Sequence, residues 1–373
     1  MSIDNKTISK KCTDTCSIDA NELYKKLNGK KILHFGSLAG WPYTLANVSR
    51  KMGIPSDNVI HTYKDVAGLE RKLSFDKSIF RKEDPFLQKT KKTIDFLLNL
   101  DSEYGLIHYH SSNILHREYH FLFEGPYLRH KNIPMVLSLG GGDARFTKFS
   151  LSKNKFFYRK PSHSRDLMIK LRWLSWKQNI AVCATDPEML VFAKDYFDNV
   201  SIFRQPIDID NFPYTPLSGA NEVPLLLHVP TEPWVKGTDS IVDAISKLEK
   251  EGLRFKFTLA RNLTQTDFYK LLSTCDVYID ELRCGSHGVT AVEAMAMGKP
   301  TITYIRDDLI SNYPPDLPLI NANPDTIEDA LRKIISNHKL RSEIGNASRE
   351  YVEKYHDAKV VVNHLATIYK NLL

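Results

Sequence analysis

A chain of 373 residues exceeds the ~250–300 at which single cores stop growing, so two domains are expected, each with a sizeable core. With 42% hydrophobic and 25% charged residues the composition is ordinary for a globular protein, and a net charge of +7 favours anionic ligands or surfaces while falling short of a nucleic-acid binder. Cys12, Cys16, Cys183, Cys275 and Cys284 lack metal-ligand spacing, the polar N-terminus lacks a signal-peptide centre, and no apolar run approaches the ~20 residues of a spanning helix, so a reduced cytoplasmic protein is expected, soluble or peripheral on a membrane.

Short β-rich apolar runs alternate with helical patterns nearly from end to end, which predicts an α/β fold of two doubly wound, Rossmann-like sheets facing across a cleft. Strands are expected at Lys31 to Phe35, Asn58 to Thr62, Leu106 to Tyr109, Met135 to Leu139, Ile180 to Ala184 and Val200 to Phe203. A second set follows at Leu225 to Val229, Phe255 to Leu259, Val277 to Asp280, Thr301 to Tyr304 and Leu317 to Ile320. The chain divides into a polar extension (1–27), a first domain (28–204), a Pro-, Asp- and Gly-rich connection (205–222), a second domain (223–345) and a C-terminal helical segment (346–373) able to pack back on the first domain.

Candidate ligand-binding residues gather where strands end. The turn from Gly36 to Pro42, which includes Gly40, is not a GxGxxG fingerprint and reads either as a tight strand-to-helix turn or as a sugar or phosphate contact. His110 ends the third strand and shares a face with His108, so it either borders substrate or is a satisfied core histidine. Gly140, Gly141 and Gly142 follow the next strand, with Asp143 as either an N-cap or a cleft carboxylate. From Lys148 to Lys177 nine bases face one acid, Asp166, with Trp173 and Trp176 interleaved; this suits an interfacial helix on anionic lipid, or a solvated basic face whose aromatics pack inward.

In the second half, Lys236 precedes a helix start at the end of a loop. The run from Cys284 to Pro300 then places Gly285, Ser286, His287 and Gly288 before a helix opening at Val289, which aims unpaired N–H groups and a positive dipole end at an anion. Glu293 lies one turn inside that helix on a neighbouring face, and Gly298 with Pro300 ends it.

These residues together resemble the large retaining glycosyltransferase family (group 1, or family 4-like) of GT-B fold. The resemblance is strongest at Glu293 to Pro300, Lys236 to Thr238 and Gln205 to Asp208, and weaker at His108-x-His110 and the glycine–Asp143 segment. It implies a UDP- or GDP-linked sugar as substrate, no cofactor and no metal, and a glycan or lipid-linked acceptor. By the same resemblance Lys236 contacts the donor diphosphate, the amides from Ser286 to Val289 cradle phosphate or sugar, Glu293 binds ribose hydroxyls, and His110 borders the transferred sugar. Two positions depart from the family pattern: Gly285 stands where its first glutamate falls, and Thr231 where an arginine commonly precedes the lysine. A nucleotide-sugar 2-epimerase and a non-catalytic partner subunit are the competing readings.

Overall fold

The computed structural model describes residues 19–62, 72–115, 121–176, 180–216 and 222–373. Most of the expected N-terminal extension, with Cys12 and Cys16, lies outside the described residues, as do Lys177 and part of the connection at 217–221. The first half builds a parallel sheet from β1 (Lys31–Phe35), β2 (Ser56–Ile60), β3 (Lys77–Ser78), β4 (Tyr104–His110), β5 (Met135–Leu139), β6 (Ile180–Ala184) and β7 (Val200–Ile202) in the order β3-β2-β1-β4-β5-β6-β7. The second half builds another from β8 (Leu225–His228), β9 (Lys256–Leu259), β10 (Val277–Ile279), β11 (Thr301–Thr303) and β12 (Ile320–Asn321), in the order β12-β11-β10-β8-β9. Strand order reverses between β1 and β4 in one sheet and between β8 and β10 in the other, and at such switch points a crevice opens beyond the strand ends.

Helices on both faces bury the central strands, which explains why β1, β4, β5 and β6 read as apolar runs. β2 starts two residues earlier than expected because its first three residues, Ser56, Asp57 and Asn58, are polar yet buried. Each is satisfied: Ser56 donates to the Ile54 carbonyl, Asp57 accepts from Lys31, Lys77 and Tyr104, and Asn58 Nδ2 donates to the carbonyls of His34 and Gly36. The short edge strand β3 has exposed residues and no apolar signature.

One face of the first sheet is covered by the helices Ala20–Lys26 and Trp41–Lys51 and by the C-terminal helix Ala358–Leu372, whose Val361, Val362, Leu365 and Tyr369 pack with Ile32, Leu106 and Val136. The chain passes between the sheets twice, and the two passages bond to each other. Ile207 N donates to the His356 carbonyl at 2.7 Å, and Ala358 N donates to the Ile207 carbonyl at 2.8 Å.

Candidate functional site

The second switch point gathers Lys236, which ends the short helix Pro233–Lys236 after β8 rather than lying in the loop its sequence suggests, with Asp280 and Glu281, which directly follow β10. Lys236 Nζ lies 2.8 Å from Asp280 Oδ1 and 2.9 Å from Glu281 Oε2. Burial opposes charge on the ammonium, but the two carboxylates outweigh it and hold Lys236 protonated well above the usual lysine range. Asp280 is held below the ordinary aspartate value because Lys236, Thr290 and Gly288 overcome its burial, whereas burial and the neighbouring Asp280 charge push Glu281 up. Behind them His228 donates from Nδ1 to the Ile279 carbonyl and accepts from Thr238 at Nε2, and burial brings its pKa to about 4.

The helix Val289–Ala296 begins against the same carboxylate. Gly288 N donates to Asp280 Oδ2 at 3.1 Å, and Thr290 Oγ1 donates to Asp280 Oδ1 at 2.9 Å. The expectation that glycine here clears space for a ligand therefore needs restating: a Cβ on Gly288 would stand 3.0 Å from Asp280 Oδ2 and 3.4 Å from Lys236 Nζ, so the group admitted close to the backbone is Asp280. Gly298 adopts φ 75°, and its N–H bonds to the Met295 carbonyl at the helix end, as its sequence position predicts.

One turn along, Glu293 faces a cleft whose lining also includes Thr231, Asn262, Gln265, Tyr269 and Val289, with Ala39 from the first half across it. Tyr269 Oη donates to Glu293 Oε1 at 2.8 Å and accepts from Gln265 Nε2 at 2.9 Å, which fixes the carboxylate at the cleft wall. Gly40, at φ 82°, opens the helix Trp41–Lys51, and a Cβ there would come within 3.9 Å of Gln265 Nε2, so its turn faces the same region.

Other expected site residues lie elsewhere. Ser286 is buried and donates to Glu188 Oε2 at 3.0 Å, turning toward the first half. His287 is buried between Tyr313 and His356, and burial lowers its pKa to about 4, with Arg204 adding to the effect. Gly285 has φ 90°, and a Cβ there would lie 2.5 Å from Arg306 Cγ, so the arginine stem occupies the room a side chain would need. Gly142 is exposed and accepts from Arg165, while Asp143 Oδ1 accepts from the amides of Gly140 and Gly141, a turn-capping arrangement. Asp143 also borders a small cleft with Ser111, Ser112 and Asn113 at the carboxyl end of β4.

His110 is buried in the sheet face and is not among the residues lining either cleft. Its Nε2 lies 3.1 Å from His34 Nδ1, and His108 bonds Tyr369 Oη and Ser138 Oγ. Nitrogens of these three imidazoles lie within 4.8 Å of one another. Burial drives all three well below the ordinary histidine value, His34 to about 3, and the charges acting on them are Arg50 and each other. With no carboxylate among those influences, a divalent ion would bring two uncompensated charges into the core, so neutral packed histidines describe the cluster better than a metal centre.

In the basic segment, Trp173 and Trp176 pack into the core, as the inward-aromatic reading expects. Leu167, Leu171 and Leu174 of the helix His163–Trp176 nevertheless share an outer face and are 55%, 39% and 57% exposed, and the adjoining helix Phe121–His130 also exposes Leu122 and Phe123. Among the described residues no helix is long and apolar enough to cross a membrane.

Sequence reasoning missed Asp280, Glu281, Tyr269 and Gln265. The available signal was an acid pair directly after a buried strand and opposite a loop lysine, which reads as ordinary loop composition. Residues 236–351 match the family described as glycosyl transferases group 1. That segment is similar to the group 1 glycosyltransferase domains. The match contains Lys236, Asp280, Glu281 and Glu293, the residues of the second switch point and its cleft. The chain is 24% identical over 272 residues to an uncharacterized glycosyltransferase of Methanocaldococcus jannaschii, covering 66% of this chain and 72% of that protein. The two sheets with their helices superpose on sucrose-phosphate synthase from Thermosynechococcus elongatus with a TM-score of 0.63 at 15% identity, covering 92% of this chain and 99% of the other. Anabaena HepE, in complex with UDP and glucose, superposes with a TM-score of 0.63 at 14% identity, covering 91% and 99%. The fold is thus GT-B, two Rossmann-like sheets facing across a cleft.

Proposed function

We propose that this chain transfers a sugar from a nucleoside diphosphate sugar to a glycan or lipid-linked acceptor, with retained anomeric configuration and without a metal. The observation that carries the reading is the convergence, at one switch point, of the buried Lys236 ammonium, the helix start at Gly288 and the cleft carboxylate Glu293. In this reading the base and ribose enter the cleft between Asn262 and Tyr269, Glu293 accepts hydrogen bonds from ribose hydroxyls, and the diphosphate lies toward Lys236 and the amides before Val289. As the glycosidic bond breaks, Lys236 and the helix dipole stabilise the charge that builds on the departing diphosphate, the kind of preorganised electrostatic assistance that often contributes most. HepE holding UDP and, in another structure, UDP-glucose favours uridine as the base. His110, shielded by its own strand and by His34, is left out of direct contact.

The exposed leucine face of His163–Trp176, a helix that also carries exposed Lys170, supports an acceptor delivered at an anionic membrane surface. Lys236→Ala should lower turnover with a competent nucleotide sugar by ~10²-fold or more. Near-normal turnover in that variant would remove the assigned site. A non-catalytic role has one observation in its favour, the two carboxylates already holding Lys236, and a calorimetric titration showing no binding of any nucleoside diphosphate would select it.

A further inference from the structure

We propose that Arg145, carried by the glycine loop of the first sheet, is a second cation of the diphosphate site and grips the donor only when the two sheets are closed on each other. The proposal rests on the nucleotide-sugar reading and adds a residue from the opposite side of the cleft. Arg145 lies outside the residues matched by the family, and its loop contacts the second half at Ser286.

The need for another cation follows from the charges. Lys236 is shared between Asp280 and Glu281, so the immediate surroundings of its ammonium carry a net negative charge before any phosphate arrives. A diphosphate brought to that point meets carboxylates as well as the ammonium. Arg145 is the nearby group whose position answers this. It reaches the second-half loop at Ser286, two residues before Gly288, whose amide bonds the same Asp280 carboxylate as Lys236.

Its orientation is fixed along one edge. Nε and Nη2 lie 2.8 and 2.7 Å from Glu188 Oε2, and Nη2 lies 3.4 Å from Ser286 Oγ on the second-half loop. Glu188 is itself buried and accepts from Ser286, so one carboxylate ties the arginine to the loop before the helix start. Nη1 has no hydrogen-bond partner among the described residues, so a planar guanidinium held on one side presents its remaining donors on the other.

The glycine loop makes the placement possible. Gly141 has φ 139°, and a Cβ there would stand 2.7 Å from Arg145 Nη1, so only glycine lets the guanidinium lie against that backbone. Asp143 accepts from the Gly140 and Gly141 amides and sets the turn. The glycine run, which the sequence alone leaves open between a ligand approach and a turn, thus seats an arginine against the second-half loop at Ser286.

The test is calorimetric titration of UDP and UMP into the full-length protein, Arg145→Gln and Arg145→Lys, with thermal melts to establish folding. For Arg145→Gln, UDP affinity should fall about ten- to a hundred-fold, the range for charge-assisted hydrogen bonds, while UMP affinity holds within about two-fold, and Arg145→Lys should recover part of the loss. A folded Arg145→Gln protein that keeps the wild-type ratio of UDP to UMP affinity overturns the proposal and leaves Arg145 as an interdomain clamp only. Should Arg145→Gln fail to fold, Gly141→Ala decides: a displaced guanidinium must lower the same ratio, and an unchanged ratio overturns the proposal. Wild-type protein that binds neither UDP nor GDP rejects the nucleotide-sugar reading itself.

Discussion

Lys236 shows why the residue type and its position do not by themselves define an anion site. Its ammonium is buried, protonated and already bonded to two carboxylates, one of which also caps the helix start that would otherwise face phosphate. A diphosphate is therefore expected to arrive with a proton. Glu281 is the group pushed up by burial and by Asp280, so its protonation frees Lys236 from one partner at the least cost. Calorimetry of UDP binding in buffers of different ionisation enthalpy should report proton uptake, reduced in Glu281→Gln. Equal binding heats in all buffers would contradict that coupling. At the cleft wall, Glu293→Ala should weaken UDP and UMP about equally by ten-fold or so, since the lost contact is to ribose and not to the second phosphate; an unaltered affinity for both would exclude the ribose role. The sequence makes Lys236, Gly288 and Glu293 visible because strand, loop and helix spacing brings them to one strand edge. It conceals Asp280 and Glu281, since an acid pair in a loop looks solvated until the lysine opposite is placed.

At the scale of elements, the strands are legible wherever burial on both faces demands an apolar run, and they blur where the buried side chains are polar but satisfied. β2 is the instructive case: Ser56, Asp57 and Asn58 resemble loop residues, yet Asp57 and Asn58 bond neighbouring strands and Ser56 bonds the Ile54 carbonyl just before its own strand. His110 was ambiguous for a related reason, because a strand-end imidazole is open to a cleft or sealed by the next strand depending on packing that one sequence does not state. The helix His163–Trp176 divides the composition its sequence mixes together. Trp173 and Trp176 go inward, while Leu167, Leu171 and Leu174 stay out among bases. Vesicles containing phosphatidylserine should co-sediment the protein, neutral vesicles should not, and Leu167→Ser with Leu174→Ser should abolish the binding without lowering the melting temperature, because both side chains are already exposed. Equal recovery with neutral vesicles would rule out an electrostatic membrane surface.

Across the whole molecule, buried imidazoles set the pH behaviour. His34, His228 and His287 are held neutral, with folded values of about 3, about 4 and about 4 against an ordinary 6.5. Below pH 6.5 the unfolded chain takes up protons that these folded side chains refuse, so each removes ~1.4 kcal/mol of stability per pH unit until its folded value is reached. Asp186 works in the opposite sense, since burial and Glu188 raise it to about 7 from 3.8 and it keeps a proton that the unfolded chain has lost. With three imidazoles against it, the balance favours loss of stability on acidification. Melting temperature should fall steadily from pH 7 to pH 5, ahead of the ordinary carboxylate range, and a flat profile over that interval would contradict the assignment.

The passage of the chain out at Ile207 and back at Ala358 has a consequence for biosynthesis. The apolar flank of the first sheet is sealed by a helix encoded after every strand of the second, so a ribosome must deliver the entire later half before the earlier half can finish folding. Until then the part of that face which Val361, Val362, Leu365 and Tyr369 cover stays open to solvent, and only the helices Ala20–Lys26 and Trp41–Lys51 shield the rest of it in the nascent protein.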